Sequence, residues 1–118
     1  MDVFQVLADP VRRRIVELLG GGERPAGEIA QALHVEFGIS QPATSRHLRL
    51  LRESGVAVCT NHGAQRRYHL DRATLDVVAT WLQDVRSFWH QRLDALDTEL
   101  FRGRPANAAD ELNEEDIS

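Results

Sequence analysis

The chain has no lysine and a single cysteine, methionine and tyrosine in 118 residues. The one thiol, Cys59, excludes an internal disulfide and fits a reducing compartment. No apolar run approaches the ~20 residues of a membrane span, and no leader-like stretch precedes the first helical pattern, so a cytoplasmic protein without membrane contact is expected. Catalytic arrangements are missing as well. There are no paired carboxylates and no Ser–His or Cys–His combination, and Gly20-Gly21-Gly22 follows a helix rather than the strand a phosphate loop requires. The sequence does not read as an enzyme, and it calls for no cofactor.

Charge is unevenly spread. The formal net charge of −4 argues against a uniformly basic protein, but residues 40–72 hold six arginines against two acids, whereas 103–118 hold five acids against one arginine. Within the basic third, Ser40–Gly55 carries complete helix punctuation: Ser40 to cap, Pro42 in the first turn, and Gly55 as a left-handed stop. Thr44, Leu48 and Leu51 fall on one stripe that faces a core, leaving Gln41, Ser45, Arg46, Arg49 and Arg52 outward. Such a face suits a DNA major groove, where Arg pairs with guanine edges and Gln with adenine. The candidate contact set on this helix is Gln41, Thr44, Ser45, Arg46 and Arg49.

Before it, Val3, Phe4 and Leu7 make the first turns apolar, and Asp9-Pro10 starts a helix with Val11, Ile15, Leu18 and Leu19 on its inner stripe. Arg12, Arg13 and Arg14 spread around that cylinder, which reads as surface ion pairs plus one arginine near DNA. A further helix runs from Pro25 to about Val35 with Ile29, Ala30 and Leu33 inward, and Glu28 sits in its first turn, where the dipole favours an acid. His34–Gly38 then reads as a connection longer than a minimal helix-turn-helix allows, although part of it can extend the helix. Phe37 and Ile39 are expected to anchor this turn in the core.

After Gly55 the period changes to two. Val56, Val58 and Thr60 alternate with Ala57 and Cys59, Asn61–Ala64 turns, and Gln65–Leu70 returns with Tyr68 and Leu70 inward. This two-stranded hairpin offers His62, Gln65, Arg66 and Arg67 at its tip and return strand. A hairpin directly after a basic helix is the layout of a winged helix-turn-helix, with the helix in the major groove and the wing on phosphate or minor groove. The last helix runs from near Arg72 to about Leu100. Leu75, Val78, Leu82, Val85, Trp89, Leu93, Leu96 and Leu100 recur at steps of three and four, and Trp81 and Phe88 widen the stripe. At ~43 Å it exceeds what the domain needs, so its surplus face calls for a second copy. The expected dimer surface is Val3, Phe4, Leu7, Leu82, Val85, Phe88, Trp89, Leu93 and Leu96.

The stretches Leu7–Arg12, Phe37–Gly55, Arg66-Arg67-Tyr68 and Trp81–Arg104 together resemble the ArsR/SmtB family of bacterial winged-helix repressors, over essentially 2–104. The C-terminal run resembles its metal-independent, SdpR-like autorepressor branch. This resemblance implies a homodimer that binds double-stranded DNA at an inverted-repeat operator and represses transcription, often of its own operon. It places Gln41, Ser45, Arg46 and Arg49 on a recognition helix and Arg66 and Arg67 on a wing. The metal sensors' cysteine pair is absent from Glu28–Leu33, and the last helix offers only His90 with Asp84, Asp94 and Asp97, a thin ligand set, so no metal is expected.

The expected architecture is mainly α with a small β-hairpin: a winged helix-turn-helix with a long C-terminal dimerisation helix over 1–102, followed by an acidic, disordered tail over 103–118. Two other readings remain at this point, a sensor of the same fold whose DNA affinity is set by a metal, oxidant or small ligand, and a protein-interaction module that has lost DNA binding. The arginines on both helix and hairpin count against the latter.

Overall fold

The computed structural model describes residues 1–103. Apart from Gly103, the expected acidic tail lies outside the described residues. In chain order the elements are α1 (Val3–Leu7), α2 (Pro10–Gly20), β1 (Arg24–Pro25), α3 (Ala26–Phe37), α4 (Gln41–Glu53), β2 (Ala57–His62), β3 (Gln65–Leu70) and α5 (Arg72–Gly103). They fall into two compact units, one spanning Met1–Ala79 and the other beginning at Thr80.

In the first unit α1, α2 and α4 start where side-chain caps dictate. Asp2 and Gln5 form a reciprocal capping box on α1, with the Gln5 amide donating to Asp2 Oδ1 at 2.8 Å and the Asp2 amide to Gln5 Oε1 at 2.9 Å. The Asp9 carboxylate accepts from the amides of Val11 and Arg12 at the start of α2, with Pro10 in the first turn. Ser40 caps α4 by accepting from the Ala43 amide. At its other end Val56 donates to the Leu51 carbonyl and Gly55 to that of Arg52, with Gly55 at φ 84°, a left-handed close that a side chain would strain.

The core gathers Val6, Ile15, Leu19, Ile29, Leu33, Leu48, Leu51, Val56, Ala57 and Tyr68. Each large aliphatic side chain buried there is worth ~1.5–3 kcal/mol, against ~0–1 kcal/mol for an exposed ion pair. The unit is therefore held by this cluster rather than by its surface arginines. In α1 the inward residue is Val6, fully buried, while Val3 and Leu7 are half-buried and Phe4 is exposed.

Several expectations are corrected. α3 continues to Phe37, so its link to α4 is only Gly38-Ile39-Ser40, the short turn of a helix-turn-helix. Gly38 at φ 69° lets the chain turn there, its amide donating to the His34 carbonyl. Phe37 is exposed rather than anchored; Ile39 alone of the pair packs on the core. The hairpin is part of a three-stranded sheet of order β1-β3-β2, because Arg24 and Pro25 pair antiparallel with Tyr68 and Arg67. Cross-strand register puts Ala57 opposite Leu70 and Cys59 opposite Tyr68, so these line the inward face of β2 and Val58 is exposed. Of the arginine run, Arg12 is buried rather than at the surface. Arg14 is held outside by Glu36, with Nε and Nη2 donating at 2.8 and 2.9 Å to its two carboxylate oxygens.

α5 is capped by Asp71, which accepts from the Thr74 amide and hydroxyl. From Thr80 it belongs to the second unit, where Trp81, Leu82, Val85, Phe88, Trp89 and Leu96 are each at least 45 % exposed. Among the described residues no helix is long and apolar enough to cross a membrane.

Candidate nucleic-acid interface

α4 is held from behind by Thr44, Leu48 and Leu51, all buried, and this fixes which of its side chains face outward. Gln41, Ser45, Arg46, Arg49 and Arg52 are exposed on the other side. Together with Arg66 of β3 they surround one groove between helix and hairpin, floored by Leu48 and Tyr68. Burial raises the Tyr68 phenol above its ordinary value, and the adjacent Cys59 thiol adds to this, so the floor stays uncharged. Thr44 is the exception within the expected contact set. It is 1 % exposed, and its hydroxyl points into the protein without a hydrogen-bond partner among the described residues, so it supports the helix rather than its outer face.

The cations of the groove differ in how they are engaged. Arg49 Nε lies 3.8 Å from Glu53 Oε1, one turn on, in a pair whose two side chains are mostly exposed and therefore weak. Arg46, Arg52 and Arg66 make no ion pair among the described residues. On the hairpin, Gln65 and Arg66 are exposed, but His62 and Arg67 share an acid that no local sequence pattern marks, since it comes from the far side of α3 and α4 in the chain. Glu23 Oε1 is 3.2 Å from Arg67 Nε and 3.6 Å from His62 Nε2.

Behind α4 lies a second polar feature. His47 is half-buried, and its Nδ1 is 3.3 Å from Nη1 of the buried Arg12. Burial moves the His47 imidazole below its ordinary pKa; Asp9 opposes this, and Arg12 and Arg46 reinforce it. Burial alone would raise the Asp9 carboxyl, but the amides of Arg12 and Val11 and the charges of Arg12 and His47 together hold it below the ordinary value. One signal for this cluster was present in the sequence. Arg12 stands in the first turn of a helix, where the dipole disfavours a cation.

A helix-turn-helix domain model matches residues 7–60. The transcriptional repressor SdpR of Bacillus subtilis is 36% identical over 81 residues, which cover 69% of this chain and 86% of that protein. The chain belongs to the ArsR/SmtB family of winged helix-turn-helix repressors. Among solved structures, a possible transcriptional regulator for arsenical resistance superposes with a TM-score of 0.64 at 35% identity, covering 84% of this chain and 96% of that one. The winged helix-turn-helix DNA-binding domain of a possible ArsR-family regulator from Mycobacterium bovis, a homodimer, gives 0.57 at 26% identity over 72% of this chain and 75% of that one. Family membership makes the protein a DNA-binding transcriptional regulator and not an enzyme. For the family's metal question, no three His, Cys, Asp or Glu side chains among the described residues converge as a ligand set, and His90 and Asp94 both lie exposed on α5.

Proposed function

We propose that the protein is a homodimeric repressor that works in the cytoplasm without a bound metal, reads an inverted-repeat operator, and controls its own or a neighbouring operon. Residues 1–102 form its working DNA-binding and dimerisation part, and 103–118 an acidic appendage. The observation that carries this reading is the single groove around which Gln41, Ser45, Arg46, Arg49 and Arg66 converge, with hydrogen-bond donors on the helix and a cation on the wing. In this reading Gln41, Ser45, Arg46 and Arg49 address base edges, while His62, Gln65, Arg66 and Arg67 hold the backbone. Val3, Phe4 and Leu7 together with Leu82, Val85, Phe88, Trp89, Leu93 and Leu96 are buried between copies. A two-fold pair presents two recognition helices one DNA turn apart, ~34 Å, so half-sites recur at that spacing.

Genomic fragments captured by the purified protein test this directly. An inverted repeat upstream of the protein's own or an adjacent gene supports the reading; recovery of random fragments refutes it. On the recovered site, R46A and R49A should each lose ~1–3 kcal/mol of binding in a sequence-dependent manner. A double variant that shifts the fragment as well as wild type does would remove α4 as the reading element.

A further inference from the structure

Arg12 occupies a place that local rules disfavour. It lies in the first turn of α2, where the helix dipole repels a cation, and it is 8 % exposed, where an unpaired charge is costly. Three contacts account for it. Its Nε donates to the Val6 carbonyl at 2.7 Å, supplying a partner to a carbonyl in the last turn of α1. Its Nη1 lies 4.0 Å from Asp9 Oδ2, the cap of its own helix. The same Nη1 lies 3.3 Å from Nδ1 of His47, the residue that follows Arg46 on α4.

Arginine has donors only, so the His47 contact is a hydrogen bond only if Nδ1 carries a lone pair and the ring proton sits on Nε2. The lowered pKa of His47 agrees with a neutral ring. From this geometry we infer that Arg12 and His47 are positioning residues for DNA reading: the buried guanidinium holds the back of α4 and so sets how its exposed face meets a duplex. Neither residue touches DNA. The contact also ties α4 to α1 through one side chain, since the guanidinium that holds His47 also holds Val6. This inference rests on the assignment of α4 as the reading helix, whereas the contact itself can be measured without DNA.

Asparagine places a carbonyl oxygen close to where Nδ1 lies, whereas alanine supplies no acceptor. H47A should bind the recovered operator about tenfold more weakly, the scale of a lost hydrogen bond to a charged group, and H47N should restore most of that loss. In the free protein, amide hydrogen exchange over Ser45–Arg49 should quicken in H47A and return toward wild type in H47N. A long-range proton–nitrogen spectrum should show His47 protonated at Nε2. Thermal unfolding of each variant separates positioning from folding: a global loss of protection in H47A with H47N equally impaired would mean that His47 only fills space, and would overturn the inference. So would wild-type affinity in H47A, or a ring protonated at Nδ1. If wild type selects no site while exchange and tautomer behave as stated, the α4 assignment fails and the Arg12–His47 contact stands, so the two failures can be told apart.

Discussion

Glu23 precedes β1, and its carboxylate faces Arg67 and His62, two of the groups we propose to hold a phosphate backbone. Under that proposal the acid competes with phosphate for the same donors and would have to be displaced before Arg67 could engage. Replacing it with the isosteric amide should free those donors. E23Q is expected to bind non-specific duplex more tightly, with the slope of log affinity against log salt steeper by up to about 1, one further counterion released per phosphate gained. Affinity measured across a salt series checks this, and an unchanged slope would mean that Glu23 does not restrain Arg67 and His62 from phosphate. Arg12 shows the opposite use of the same side chain. Its charge is spent inside the fold on a carbonyl and an imidazole. Its place in the first turn of α2 is the one sequence signal that sets it apart from Arg13 and Arg14; what it touches is decided only by the packing of α1 and α4.

Among the elements, the most legible were those whose ends are written in local chemistry. α4 was readable because a capping Ser, an early Pro and a closing Gly bracket a periodic stripe, each acting within a few residues. α2 was readable for the same reason, and its cap makes a testable contribution. The Asp9 carboxyl titrates below its ordinary value of 3.8 in the folded protein, so the stability it adds is complete above that pH and is lost as pH falls through the lower folded value. D9A should therefore lower stability by about 1 kcal/mol at neutral pH, with the gap from wild type narrowing below pH 3.8 in denaturant titrations. β1 was not legible. It consists of Arg24 and Pro25, and its pairing exists only because β3 presents a free edge to it. The end of α3 is less legible, because nothing in His34–Phe37 breaks a helix and only Gly38 marks where it stops. Thr44 shows that spacing outranks residue type as a guide: its place on the stripe of Leu48 and Leu51 puts it in the core, although a hydroxyl on a basic helix also looks like a base contact.

At the level of the molecule, the second unit carries the feature with the widest reach. From Thr80 onward α5 leaves Trp81, Leu82, Val85, Phe88, Trp89 and Leu96 about half exposed, so each has roughly half of the ~1.5–3 kcal/mol of full side-chain burial still to gain. A charge placed among them should keep two copies apart. W89E is expected to sediment as a monomer at concentrations where wild type pairs, and to lose operator affinity although α4 and the wing are untouched. A paired W89E would show that this stripe is not the joining surface. As the joining surface we propose, the same stripe would also fix how the regulator counts itself. When reading requires two chains joined along α5, the amount of competent protein in the dissociating range follows the square of chain concentration, so halving synthesis removes about three quarters of it. If the operon repressed is its own, as we propose, repression would then relax steeply as the chain is diluted by growth and recover equally steeply as it accumulates, a concentration dependence that arises from one exposed helix face.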